Sequence, residues 1–261
     1  MKLNAEQAWR LDFLIDHLIS EQPRYSGIEI PGNTVDKRRL LRSLMNVRPP
    51  EPVSEEFLRI QDEFLQEELE SRGITDAAAL PMAEDRICLW QGDITTLRCG
   101  AIVNAANSRM LGCFVPCHGC IDNAIHSYAG VQLRAECAEL IREQGYDEPT
   151  GRAKLTRAYN LPCGFIIHTV GPIVADRLTD MHRAQLMSCY RSCLETAEKN
   201  NIRSVAFCCI STGEFCFPNH EAAEIAVKTV REYLKKSGLE RVIFNVFKNE
   251  DRDIYERLLG K

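Results

Sequence analysis

Ala101-Ile102-Val103-Asn104-Ala105-Ala106-Asn107 leads within a few residues into Gly112-Cys113-Phe114-Val115-Pro116-Cys117-His118-Gly119-Cys120-Ile121-Asp122-Asn123-Ala124-Ile125-His126. An apolar run of strand character opens the stretch, and a helical pattern from Ile121 to Ala129 closes it. Between them lie three cysteines and a histidine within eight residues, where two glycines and a proline forbid a regular helix. A strand, a polar loop and a helix start make an α/β unit. Zinc accepts Cys and His at such short spacings, and a helix N-terminus accepts phosphate. The loop suits either ligand.

The flanking sequence repeats the strand–loop–helix rhythm. Arg86–Gln91, Lys154–Tyr159, Phe165–Val170, Ser204–Ile210 and Arg241–Phe247 read as strands, with Ser204–Ile210 apolar enough for burial on both faces. Leu133–Gln144, Asp180–Asn200, Glu221–Lys236 (capped by Asn219) and Asp251–Leu259 read as helices. Strands alternating with helices predict a three-layer α/β/α domain, with ligand loops outside the carboxyl ends of the central strands.

Three polar loops follow apolar strands, at 92–96, 104–126 and 211–220. Asp93 can accept from an adenine amino group or a ribose hydroxyl, or cap the turn at Thr95. Asn104 and Asn107 flank two alanines, which let a ligand approach, or they only shape the turn. Ser211-Thr212-Gly213-Glu214-Phe215 offers amides that can wrap a diphosphate as a nest. It is neither a P-loop nor a Rossmann fingerprint.

The first 75 residues differ, reading as helices throughout. Residues 5–20 form an amphipathic pattern, with Trp9, Phe13, Leu14, Leu18 and Ile19 along one face. Val35–Met45 is a second helix with Lys and Arg outward. Glu55–Glu70 is a third, capped by Ser54, with Phe57, Ile60, Phe64 and Leu65 inward and an acidic, solvated outer face. With no convergent polar cluster, this block is expected to pack or to present a partner surface.

A chain of 261 residues can bury a full core. Its net charge of −5 and lack of a basic patch argue against nucleic acid and anionic membrane. No apolar run approaches a membrane span or a signal peptide, so a cytoplasmic location is expected. The twelve cysteines are then expected to be reduced. Cys88, Cys137, Cys163, Cys189, Cys193, Cys208 and Cys209 fall in strand or helix patterns, as small core hydrophobes do.

Cys113, His118 and Cys120 form a Cys-x4-His-x-Cys arrangement that suits zinc and leaves one position open. Cys117 offers a fourth ligand, which would close the site. A reactive-thiol loop and a plain loop are the alternatives. His126 and His168 read as hydrogen-bonded core histidines rather than ligands, and His182 and His220 show no partner.

Gly92-Asp93-Ile94-Thr95, Ala101–Asn107, the Ala-Ile-His-x-x-Ala-Gly helix start, His168-Thr169-Val170-Gly171-Pro172 and Ile210-Ser211-Thr212-Gly213 together resemble the macrodomain family, which binds ADP-ribose. The Gly-Cys-Phe-Val-Pro-Cys-His-Gly-Cys segment replaces that family's glycine-rich loop. The replacement and the helical extension resemble the zinc-containing, sirtuin-linked macrodomains of bacteria.

This resemblance implies a macrodomain at 76–261 with a central mixed sheet, preceded by the helical extension at 1–75. It implies a zinc-dependent protein-ADP-ribose hydrolase acting on mono-ADP-ribose of a lipoyl-carrier protein of the glycine-cleavage-H type, in a system tied to oxidative stress. Carried over by position, Asp93 would take the adenine amino group with Ile94 beside the base. Asn107 would sit at the distal ribose, and Ile121, Asp122 and Asn123 along the pyrophosphate and distal ribose. Ser211, Thr212, Gly213, Glu214 and Phe215 would form the second phosphate loop, and Cys113, His118 and Cys120 would hold zinc. Cys216 and Phe217 depart from the glycine plus aromatic of many macrodomains.

Asn107 and Asp122 would position ribose and water, with Asp122 a poor base if its carboxyl keeps a pKa near 4. A non-catalytic ADP-ribose reader and an O-acetyl-ADP-ribose deacetylase are the competing functions. A monomer is expected.

Overall fold

The computed structural model describes residues 3–260. Its centre is a seven-stranded mixed sheet built from β2 (Met82–Glu84), β3 (Ile87–Gln91), β5 (Ala101–Ala106), β6 (Ala153–Arg157), β7 (Phe165–Val170), β8 (Ser204–Phe207) and β9 (Arg241–Val246). The strand order is β2-β3-β9-β8-β5-β7-β6. The five inner strands run parallel, while β2 and β6 pair antiparallel at the edges. A separate parallel pair joins β1 (Thr75–Asp76) to β4 (Leu97–Arg98), too short to have been foreseen.

Ala101, Ile102 and Val103 of β5 are wholly buried, as befits an inner strand between β8 and β7. Helices flank the sheet. α4 (Ile121–Ala129) packs on β5 and α5 (Val131–Gln144) on β6, while α6 (Asp180–Lys199), α7 (Asn219–Leu234) and α8 (Asn249–Leu258) pack in succession. Because the inner strands are parallel, Gly92-Asp93, Asn107, Gly171 and Cys208–Gly213 leave the sheet on one side. In open α/β sheets this is the side on which ligands bind.

The N-terminal residues are helical as expected, in α1 (Ala5–Ser20), α2 (Thr34–Val47) and α3 (Glu55–Arg72), with Asn4, Asn33 and Ser54 accepting first-turn amides. Phe57, Ile60, Phe64 and Leu65 face inward. The buried face of α1 is instead Leu11, Leu14, Ile15 and Leu18, and Trp9 lies 53% exposed. The acidic face of α3 is also less solvated than its composition suggests. Glu63 and Glu67 accept from the buried Arg10 at 3.0 and 2.9 Å, and Glu68 pairs with Arg38. The core of this block continues onto Val131 of α5.

Two boundaries shift for local reasons. β8 ends at Phe207 rather than Ile210, because Cys208 onward turns into the crevice loop. Asn219 does not cap α7. It lies within the helix and donates to Asp251 at 2.6 Å, leaving Pro218 at the cap. Among the described residues no helix is long and apolar enough to cross a membrane.

Candidate functional site

Asp93 caps the 3-10 turn that follows β3, as one of its two readings predicts. Its Oδ1 accepts from Thr95 N at 2.9 Å and from Thr95 Oγ1 at 2.6 Å. Its Oδ2 accepts from Arg72 Nη1 at 3.0 Å. Arg72, the last residue of α3, also donates to Thr95 Oγ1 and stacks 3.8 Å from the Tyr128 ring. Ile94 is buried in the core beneath this turn.

Two asparagines, Asn104 within β5 rather than in the loop and Asn107 just beyond it, converge on one carboxylate. Asn104 Nδ2 donates to Asp122 Oδ1 at 2.8 Å, and Asn107 Nδ2 to Asp122 Oδ2 at 3.3 Å and to the Gly112 carbonyl at 3.0 Å. Asp122 is buried at the second position of α4. Burial pushes its pKa up to about 6, against the pull of Asn104, Arg134 and Asn107. The expectation of an ordinary carboxylate is therefore corrected: removal from water outweighs two amide donors.

Behind Asp122 lie two buried histidines. His168 receives Asn104 Nδ2 on Nδ1 at 3.1 Å, so its Nε2–H donates to Thr156 Oγ1 at 2.9 Å. Burial pulls it down to about 3. It is the hydrogen-bonded core histidine expected. His126 is buried too, but its ring nitrogens have no hydrogen-bond partner, and Nε2 lies 3.5 Å from Asp122 Oδ1. Burial, then the neighbouring His168 and Arg134, hold it well below the usual imidazole range. Gly112 is required beside it. At φ +78°, an added Cβ would come within 2.8 Å of the His126 ring.

The soft cluster assembles as its spacing suggests. The donor atoms of Cys113, His118 and Cys120 lie within 4.8 Å of one another, and Cys113 Sγ is 3.5 Å from His118 Nδ1. Ordinary Zn–S and Zn–N bond lengths at a tetrahedral angle require a separation of about 3.5 Å. Burial pushes the Cys120 thiol up to about 12, and the nearby Cys113 adds to the rise. The residues fit zinc. Cys117 is turned elsewhere, its Sγ 3.2 Å from Ser43 Oγ of α2. His118 Nε2 faces Glu214 Oε1 at 3.5 Å, so the metal loop and the 211–215 loop meet at this ring.

Cys120 also caps α4, its Sγ accepting from Asn123 N at 3.4 Å. Asn123 spends its side chain on protein: Oδ1 accepts from Arg42, and Nδ2 donates to Val115 O at 3.0 Å. The structure thus directs Asn123 toward α2 and the metal loop, while the partly buried Ile121 opens the helix at the crevice.

In the second loop, Ser211 adopts φ +66°, and its buried Oγ has no hydrogen-bond partner. It presses on Gly171, where a Cβ would fall 2.1 Å from that oxygen. Thr212 turns its hydroxyl back to Cys209 O. Among the described residues, the amides of Gly213, Glu214 and Phe215 have no protein acceptor, and the loop is tied by Cys216 N to Gly213 O and Phe217 N to Ser211 O, each at 3.0 Å. Such a row of free amides suits an anion.

Arg42, Asn46 and Arg72 were not foreseen as site residues, since they lie on helices read as a packing block. Arg134 was missed as well. It is buried, donates to the carbonyls of Leu111, Met45 and Arg48, and stacks 4.3 Å from Phe114.

The Macro domain family model matches residues 103–226. The chain belongs to the macrodomain family. Over almost its whole length it is similar to the protein-ADP-ribose hydrolase of Treponema medium, 52% identical with 97% of this chain and 99% of that protein covered. The protein-ADP-ribose hydrolase of Staphylococcus aureus is 49% identical over 97% of this chain and 96% of that one. Among solved structures, the Trypanosoma brucei macrodomain in complex with ADP-ribose superposes with a TM-score of 0.65 at 32% identity, covering 84% of this chain and 95% of that chain.

Proposed function

We propose that the protein is a protein-ADP-ribose hydrolase that frees mono-ADP-ribose from a modified protein, with zinc held by Cys113, His118 and Cys120. The observation that supports this reading is that the Asn107–Asp122 pair, the Cys113–His118–Cys120 cluster and the free amides of 213–215 follow parallel strands at their carboxyl ends, with His118 facing Glu214. The names of the full-length relatives point the same way.

Asp93 accepts the adenine amino group. The start of α4 and the amides of Gly213, Glu214 and Phe215 hold the diphosphate. Asn107 and Asp122 then face the distal ribose, with Asn104 fixing the carboxylate. Zinc, when bound, supplies Lewis acidity and lowers the pKa of coordinated water. The net reaction adds water across the bond joining ADP-ribose, at its anomeric carbon or an acyl oxygen, to the protein side chain. The substrate we infer from the chain's resemblance is a lipoyl-carrier protein of the glycine-cleavage-H type, met in the cytoplasm by a monomeric enzyme.

The test incubates the purified protein with a mono-ADP-ribosylated carrier and, separately, with O-acetyl-ADP-ribose, and follows released ADP-ribose by mass spectrometry. Release from the carrier, abolished by chelation and by Cys113→Ala, is the expected result. Tight ADP-ribose binding without release would make the protein a reader, and turnover of the small ester alone would make it a deacetylase.

A further inference from the structure

Arg39, Arg42, Ser43 and Asn46 share one face of α2, at helical spacing. That face meets the loop between the proposed zinc ligands. Arg42 donates from Nε and Nη2 to Asn123 Oδ1 at 3.1 and 2.7 Å, and from Nη2 to the His118 carbonyl at 3.2 Å. Asn46 Oδ1 accepts from Cys117 N at 2.9 Å, and its Nδ2 donates to Ser127 Oγ of α4 at 2.8 Å. The Cys117 thiol is held by Ser43 Oγ and donates to the Arg39 carbonyl at 3.4 Å.

The loop from Cys113 to Cys120 has little internal support. Its one backbone bond among the described residues runs from His118 N to Val115 O, at 3.2 Å. Cys117 also sits at φ +52°, a conformation that costs an L-residue energy unless its surroundings hold it. The amide of Cys117 and the carbonyl of His118 are both fixed from α2. The His118 ring is thereby set against Cys113.

We propose that α2 is a positioning element of the zinc site, with Arg42 and Asn46 as the residues that hold His118 and Cys120 in ligating geometry. The inference rests on the reading of Cys113, His118 and Cys120 as zinc ligands. It assigns the N-terminal helices a part in the site rather than in packing alone. Outer partners of metal ligands typically contribute about 10- to 100-fold in metal affinity, and that is the effect expected of Arg42 and Asn46.

The experiment measures zinc affinity of the full chain by competition with a chromophoric chelator, for wild type, Arg42→Ala, Arg42→Lys, Asn46→Ala and Arg38→Ala. Thermal stability of the metal-free forms is recorded alongside. Arg38 pairs with Glu68 on α3 and serves as the control. The expected result is zinc bound about 10- to 100-fold more weakly by Arg42→Ala and Asn46→Ala. Arg42→Lys should recover part of the loss, and Arg38→Ala should match wild type. Zinc affinity within threefold of wild type in both alanine variants would overturn the proposal. So would a loss in Arg38→Ala as large as theirs. If Arg42→Ala does not fold, Asn46→Ala and Arg42→Lys decide by the same criterion. Wild type that binds no zinc, or Cys113→Ala that binds it as tightly, would instead overturn the metal reading on which the proposal rests.

Discussion

Acidifying the metal-free protein from about pH 7.5 to about pH 5 should expose the cost of the two buried histidines behind Asp122. His168 is held near 3, so it stays neutral in the fold over this interval, and His126, held well below its usual range, acts in the same direction. In the unfolded chain each takes up a proton around its ordinary pKa near 6.5. A histidine depressed on folding contributes stability that is lost as pH falls through the unfolded value. Over this interval the loss from His168 is about 2 kcal/mol. Asp122 works in the opposite direction. Raised to about 6, it binds its proton in the fold before the unfolded chain does, which returns about 1.4 kcal/mol. His168 and Asp122 together leave a loss of about 0.6 kcal/mol, and His126 deepens it. Urea unfolding followed by circular dichroism, with chelator present to exclude metal-linked protons, measures it as a fall in midpoint at constant slope. His168→Gln keeps an acceptor for Asn104 and a donor for Thr156 without the titrating ring, so its loss should be about 2 kcal/mol smaller than that of wild type. Equal acid sensitivity in the two proteins would refute the assignment.

Two further outcomes follow from single side chains. Gly112→Ala should lose more than about 2 kcal/mol of stability in the same urea assay, since the left-handed backbone alone costs about 1–2 kcal/mol and the new Cβ meets the His126 ring. Wild-type stability would mean that the turn and the ring relax freely. Arg72→Ala removes the cation that holds Asp93 Oδ2 and covers Tyr128. ADP-ribose should then bind about tenfold more weakly by calorimetry, a loss of about 1.4 kcal/mol, and an unchanged affinity would show that Asp93 needs no such support.

Local chemistry carried much of this molecule into plain view. The Ser54 cap, inward apolar faces at helical spacing and apolar runs ended by polar loops are signals contained within a few residues. The sheet and its crevice could therefore be read before the structure. The Cys-x4-His-x-Cys arrangement was legible for the same reason, its donors lying within eight residues. Contacts between distant segments were not. Arg42 and Asn123 are 81 residues apart, and Arg72 and Asp93 are 21 apart. An arginine on a charged helix face carries no local mark that separates a site residue from a solvated one. The Asp122 shift was hidden in the same way, because it depends on burial, and burial comes from packing that a lone Asp in a helix start does not announce.

His118 is where these long-range contacts meet. Its Nδ1 faces Cys113, its Nε2 faces Glu214, and its carbonyl receives Arg42. One residue therefore touches the metal cluster, the amide-lined loop at 213–215 and the N-terminal helices. A carboxylate on the far nitrogen of a ligating imidazole fixes its tautomer and orientation, so with His118 as the proposed zinc ligand, occupation of the cluster and ordering of the 213–215 loop would be tied through a single ring. Ligand affinity at that loop and metal affinity at the cluster should then rise together, and by linkage each should strengthen the other by the same factor. On the proposed reading the N-terminal helices would enter the same linkage through Arg42, from the part of the chain with the least visible chemistry in its sequence.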